Sequence, residues 1–208
     1  MTTVRSDPGA DLGADVGGVS QATEAALARR ASLGDRAAYE ELFARLFPGS
    51  FRFALRMLDG EESLAEDAVQ EAWIKAWRKL PDFRGGSKFS TWLFTIVTRE
   101  ALDVRRRTRP LAVDNDLLEP LTHRSTLQLG PSSDTDPHQA LMARELWENL
   151  TLALSELPWR QRASWLLREL EDFSYDDIAR VLDTTPTVVR GQLHRARRTL
   201  AIRMEQWR

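Results

Sequence analysis

The stretch from Asp183 to Leu200, "DTTPTVVRGQLHRARRTL", sets Arg190, His194, Arg195, Arg197 and Arg198 among regularly spaced apolar residues. Guanidinium groups in such a row bind phosphates and guanine edges; they do not by themselves make or break bonds. His194 has no second His or Cys at ligand spacing, so no metal is expected there. A second concentration of charge, Glu66, Asp67 and Glu71 in "SLAEDAVQEAWIKAWRKL", has the residue types of a magnesium-dependent nuclease. No further convergent carboxylate, phosphate loop or positioned base accompanies it, and no nucleophile, base and orienting group share a recognisable motif. The lack of cysteine removes disulfides, thiolate zinc sites and thiol catalysis together. The chemistry to expect is recognition, with no enzymatic activity, cofactor or metal.

Recognition by charge must be local. The 208 residues hold 29 Lys+Arg against 31 Asp+Glu, a formal net charge of -2, so this is no globally basic nucleic-acid binder. The beginning of the chain lacks a basic start followed by an apolar core. No run approaches the roughly 18 to 20 apolar residues of a membrane span, so a soluble cytoplasmic protein without membrane insertion is expected.

The elements that must position these residues all read as helices, and the expected fold class is all-α. Residues 1–22, rich in Gly, Asp, Ser and Thr, read as a disordered tail. Residues 23–109 form one helical module punctuated by "FPGS", "LDGEES" and "LPDFRGGS"; residues 110–140 read as an acidic flexible linker; residues 141–208 form a second module interrupted by "LPWR", "EDFS" and "LDTTP". In the second module Ser174 and Asp177 make a capping-box-like start, and Tyr175, Ile178, Ala179 and Leu182 form an apolar face. Asp183 suits the left-handed turn, and Thr185 with Pro186 caps the next helix. On that helix Val189, Leu193, Ala196 and Leu200 make a buried stripe, so Thr187, Arg190, Gly191, His194 and Arg198 face outward. Two short helices with a tight turn and outward arginines are a helix-turn-helix, which lays its second helix in the DNA major groove. An amphipathic packing helix with a solvated basic face has the same pattern.

In the first module Val69, Trp73, Ala76 and Leu80 form a core stripe, while the opposite face carries Asp67, Gln70, Glu71 and Arg78 around an apolar Ile74. Such a mixture suits a docking surface or an ordinary solvated face. In "FRGGSKFSTWLFTIVTREALDVRRRTR", Phe89, Leu93 and Ile96 point inward. Trp92, Thr95, Arg99, Asp103 and Arg106 share another face, and Arg105, Arg106, Arg107 and Arg109 end the helix. Stacking plus charge favours single-stranded nucleic acid, although Trp92 also suits a core and the arginines a helix terminus.

Taken in order, "AEDAVQEAWIKAW", "FSTWLFTIVTREALDVRRR" and "LSELPWRQRASWLLRELEDFSYDDIARVLDTTPTVVRGQLHRARRTL" resemble the extracytoplasmic-function sigma factors of bacterial RNA polymerase, within the sigma-70 family. The resemblance spans both modules. It implies a promoter-specificity factor with core RNA polymerase and promoter DNA as partners. By the resemblance, Asp67, Gln70, Glu71 and Ile74 contact polymerase. Trp92, Thr95, Arg99, Arg105 and Arg106 meet the single-stranded minus-ten element, and Thr187, Arg190, Gly191, His194, Arg195 and Arg198 meet the double-stranded minus-thirty-five element. The acidic linker, with Asp114, Asp116 and Glu119, would thread polymerase channels, and an anti-sigma factor is a further implied partner. Asp183, Thr187, Gly191 and Gln192 depart from the family pattern in the helix-turn-helix, and Glu100 stands where asparagine is frequent, placing an acid near the expected DNA. A stand-alone helix-turn-helix regulator that binds a palindrome without polymerase is the alternative, and a protein-interaction module with solubilising arginines a third.

Overall fold

The computed structural model describes residues 16–108 and 137–205. The expectations for Asp114, Asp116, Glu119 and Arg109 lie outside the described residues. Among the described residues there are helices and turns only: α1 (Val16–Ser32), α2 (Arg36–Met57), α3 (Glu62–Lys79), α4 (Phe89–Thr108), α5 (Pro137–Ser155), α6 (Trp159–Glu169), α7 (Tyr175–Val181) and α8 (Pro186–Arg203), with a 3-10 turn at Leu80–Asp82. The chain is all-α, as expected.

Local chemistry explains the element ends. Asp35 caps α2 by accepting from the Ala38 N–H at 3.1 Å, and Ser174 and Thr185 cap α7 and α8 through Asp177 N–H and Val188 N–H. Asp183 ends the helix-turn-helix turn with φ 50°, a left-handed conformation that Asp tolerates. The stripes are buried as the periodicity predicts: Val69, Trp73, Ala76 and Leu80 on α3, Phe89, Leu93 and Ile96 on α4, and Val189, Leu193, Ala196 and Leu200 on α8.

Three boundaries differ from the sequence reading. α1 begins at Val16, inside the segment 1–22 expected to be a disordered tail, because a helix already nucleated in the packed part around Leu27 and Ala28 extends backward at little cost per residue. α5 begins at Pro137, inside the expected linker 110–140, with proline at a position where its missing N–H costs nothing. α2 runs straight through "FPGS". There Ser50 Oγ donates to the Phe47 carbonyl and accepts from Trp73 Nε1 at 3.2 Å, so tertiary contacts outweigh the cost of Pro48.

The largest difference is between the modules. Instead of two bodies held only by a tether, they pack along one seam: α4 lies against α7, and α2 against α5 and α6. Phe94 and Phe173 meet at 5.1 Å between ring centroids. The guanidinium of Arg162, 1% exposed, donates to Asp59 Oδ1 at 2.6 Å, to the Arg56 and Met57 carbonyls that end α2, and to the Ser155 carbonyl. Thr91 Oγ1 donates to Asp177 Oδ1 at 3.1 Å. Gly49 lets the Glu171 carboxylate approach α2 closely: a Cβ on it would stand 2.5 Å from that carboxylate, which would have to shift. Burial pushes the Glu171 carboxyl above its ordinary range, and Arg52 and Arg56 pull it back.

Candidate nucleic-acid interface

On α8 the two faces separate cleanly. Thr187, Arg190, His194, Arg195 and Arg198 are exposed and Gly191 half-exposed, on the side opposite the buried stripe. The Arg190 guanidinium lies over the Tyr175 ring, 5.8 Å from its centroid, in a residue that stays exposed to solvent. Arg197 is drawn away from this row by Glu169 at 2.7 Å, a hydrogen bond that raises its pKa. Gln192, one of the departures from the family pattern, is buried and belongs to the core side, so it does not alter the outward face. Val188, 43% exposed beside Thr187, was missed by the sequence reading. Its signal is an apolar residue off the buried stripe in the first turn, a position suited to meet a thymine methyl.

On α4 site and core overlap. Trp92 is half-buried, with its ring 5.2 Å from Phe83 and 5.5 Å from Phe89, so it is both a packing residue and a partly presented aromatic face. Thr95 is half-buried and its hydroxyl donates to the Thr91 carbonyl at 2.9 Å. Arg99 and Arg106 are exposed, Arg106 4.0 Å from Asp103, and Arg105 is half-buried. Glu100 corrects an expectation: it is buried and paired with Lys75 Nζ of α3 at 2.7 Å, so its carboxylate meets α3 rather than solvent. That bond raises the Lys75 pKa and leaves the Glu100 carboxylate paired within the α3–α4 contact.

Between α1 and the loop before α4 lies a cleft of about 610 Å³ lined by Glu24, Arg29, Phe83, Arg84, Lys88 and Phe89. Glu24 accepts from the Ser90 N–H at 2.7 Å and so fixes α1 onto the start of α4. Gly85 takes φ 71°, which lets the loop fold back over the cleft. Arg29, Arg84 and Lys88 were not singled out from sequence, where "FRGGS" read as punctuation alone. Two cations flanking a glycine pair before an aromatic helix start were the available signal.

On α3, Asp67, Gln70, Glu71 and Ile74 are all exposed on one face, Ile74 at 45%. Exposed Trp77 on α3 and Phe43 on α2 widen its apolar part. Phe43 rests 4.7 Å from Phe47 and 4.9 Å from Trp73, so the patch sits on a rigid aromatic base. The phenol of Tyr39 donates to the Trp73 carbonyl at 2.6 Å, and burial raises its pKa far above the ordinary value. Among the described residues no three His, Cys, Asp or Glu side chains gather as a metal site, and no helix is long and apolar enough to cross a membrane.

This pairing of an aromatic-lined helix with a helix-turn-helix carries the sequence signatures of the sigma-70 class: residues 42–110 match the model for sigma-70 region 2, and residues 147–200 that for sigma-70 region 4. Over 182 residues the chain is 32% identical to the ECF RNA polymerase sigma-E factor of Escherichia coli, covering 86% of this chain and 93% of that one. Over 185 residues it is 31% identical to the RNA polymerase sigma-H factor of Pseudomonas aeruginosa, covering 88% and 94%. The chain belongs to the extracytoplasmic-function group of sigma factors: it binds core RNA polymerase and promoter DNA and directs initiation. Two solved structures share its fold. CnrH in complex with the cytosolic domain of CnrY has a TM-score of 0.65 at 23% identity, covering 88% of this chain and 98% of that one. The sigma factor RpoE in complex with the anti-sigma factor NepR from Bartonella quintana has 0.58 at 25%, covering 80% and 96%.

Proposed function

We propose a division of labour among the surfaces described above. Residues 23–109 act as the region 2 domain and 141–208 as the region 4 domain, in a cytoplasmic factor that performs no chemistry of its own. Asp67, Gln70, Glu71 and Ile74, with Trp77 and Phe43, dock on polymerase: an apolar centre with a charged rim suits a protein partner. Trp92, Thr95, Arg99, Arg105 and Arg106 hold the melted minus-ten strand, where bases stack on an aromatic ring and phosphates meet guanidiniums. The cleft between Arg29, Arg84 and Lys88, within the size range of small-molecule sites, takes an unstacked base of that strand. Thr187, Arg190, Gly191, His194, Arg195 and Arg198 face the minus-thirty-five duplex. A side chain at Gly191 would meet only the Arg195 guanidinium, at 3.7 Å, so glycine serves close approach of DNA rather than internal packing. An anti-sigma factor is a further partner, supported by the complex in which the related RpoE was solved.

The observation that carries this reading is the row Thr187, Arg190, His194, Arg195 and Arg198 standing free of the core behind a correctly capped turn. Footprinting of the reconstituted polymerase complex tests it. Arg190→Ala is expected to weaken protection of the upstream element alone, and Arg99→Ala that of the melted downstream element alone. Equal loss at both sites for either variant contradicts the division.

A further inference from the structure

The outward face of α8 consists of two rows at helical spacing. Thr187, Arg190, His194 and Arg198 make a polar row, and Val188, Gly191 and Arg195 make a second row beside it. The two members of the second row nearest the start of the helix have side chains with neither donor nor acceptor. Val188 is 43% exposed, while the apolar packing of α8 is carried by Val189, Leu193, Ala196 and Leu200. Gly191 sits inside an ordinary α-helix, where alanine is the more favourable residue, and a Cβ there would meet only the Arg195 guanidinium, at 3.7 and 3.9 Å. The fold therefore asks for neither residue. The Val188 N–H is already bound by the Thr185 hydroxyl at 3.4 Å, so what Val188 offers outward is its two methyl groups. A helical valine keeps one dominant rotamer, which holds those methyls at a fixed place. The first turn of α8 also carries no acidic side chain, whereas that of α7 carries Asp176 and Asp177, so no charge there opposes the approach of phosphates.

A recognition helix meets base edges with its N-terminal residues. In the major groove the four bases differ in their donors and acceptors, and only thymine shows an apolar group, its C5 methyl. We infer that Val188 and Gly191 form an apolar notch that reads the methyl of one thymine in the upstream element: Gly191 lets the base edge come close and Val188 packs on the methyl. The inference rests on the reading of α8 as the minus-thirty-five helix. Arg190 and Arg195, the guanidiniums next to the notch, hold the register by pairing with guanine edges or phosphates. A cytosine at the notch would set its N4 amino group against Val188, and a purine its N7, each losing water without gaining a partner. Discrimination thus comes from the two residues of this face that form no hydrogen bond through a side chain.

The test removes the methyl alone. On a promoter that the protein uses with core polymerase, the upstream element is located by footprinting, and each of its thymines, on either strand, is replaced singly by deoxyuridine. Wild-type holoenzyme is expected to lose affinity at one position by roughly three- to tenfold, the effect of one buried methyl group. Val188→Ala should weaken binding to the natural duplex by a similar factor and respond no further to deoxyuridine at that position, a non-additivity that identifies the pair. Gly191→Ala is expected to weaken binding to every duplex, roughly tenfold or more, while urea unfolding is unchanged or shifted to higher stability, since alanine is the better helix former. Indifference of the wild type to every deoxyuridine overturns the notch, and the reading of α8 stands if Arg190→Ala still weakens the upstream footprint alone. Absence of any upstream footprint, with Arg190→Ala without effect, removes that reading and the notch together. A deoxyuridine effect that persists undiminished in Val188→Ala gives the methyl to another side chain and overturns the assignment, and unchanged affinity in Gly191→Ala overturns the close approach.

Discussion

On α8 the residues that hold the fold and those proposed to face DNA occupy opposite sides; on α4 the two sets share side chains. Val189, Leu193, Ala196 and Leu200 are buried while Arg190, His194 and Arg198 stand in solvent, so the reading face of α8 is replaceable without touching the core. Trp92 of α4 is at once a wall of the Phe83–Phe89 cluster and an aromatic platform. The difference is the one the proposed ligands require. A duplex groove is met from outside by long polar side chains, whereas an unstacked base needs an apolar ring, and a ring is held rigid only by packing against others.

The comparison breaks first at Trp92. Trp92→Ala is expected to destabilise the fold by ~2 to 4 kcal/mol, seen in urea unfolding, because it removes much of the aromatic cluster. Stability within ~0.5 kcal/mol of wild type would make Trp92 a surface residue like those of α8. Arg190→Ala should show the reverse pattern, with unfolding unchanged and upstream-element affinity lower by ~1 to 3 kcal/mol, measured by holoenzyme titration at fixed salt. Loss of stability there would erase the contrast between the helices. Asp67→Arg sharpens it from the protein side: polymerase association is expected to weaken roughly tenfold or more with circular dichroism unchanged, and unaltered co-elution would remove Asp67 from the docking surface.

The smallest effect concerns Lys75 and Glu100. Pairing raises the Lys75 pKa in the folded state, so its contribution to stability is fully present below the unfolded value of about 10.4 and is lost as pH rises through the folded one. Glu100→Gln is therefore expected to lower the melting temperature slightly at pH 8, with the gap to wild type closing as pH rises through the raised Lys75 value. A gap independent of pH would show that Glu100 acts through packing alone.

The separation on α8 is legible in the sequence because a single 3.6-residue period sorts its side chains, with Thr185, Pro186 and Asp183 marking the ends. The overlap on α4 is only half legible, since periodicity places Trp92 near a boundary and cannot say that Phe83 turns back onto it. The cleft at Arg29, Arg84 and Lys88 needs α1 and a loop over fifty residues away to meet, and glycines in "FRGGS" signal a turn without naming what the turn covers. The seam is illegible for the same reason. Arg162 reads as one more helix arginine, and its acceptors Asp59, Arg56 and Met57 lie more than a hundred residues earlier. Continuation of α2 through Pro48 depends on the buried Ser50–Trp73 contact, which no local rule contains.

The most direct test of the central claim, that two separate surfaces of one chain read two promoter elements for polymerase, is transcription by core RNA polymerase from a related bacterium on fragmented genomic DNA, with transcript starts sequenced. Addition of the protein is expected to give discrete starts sharing two upstream motifs at fixed spacing, with Arg190→Ala degrading only the upstream motif. Starts that share a single motif, or none that depend on the protein while polymerase controls remain active, would contradict it.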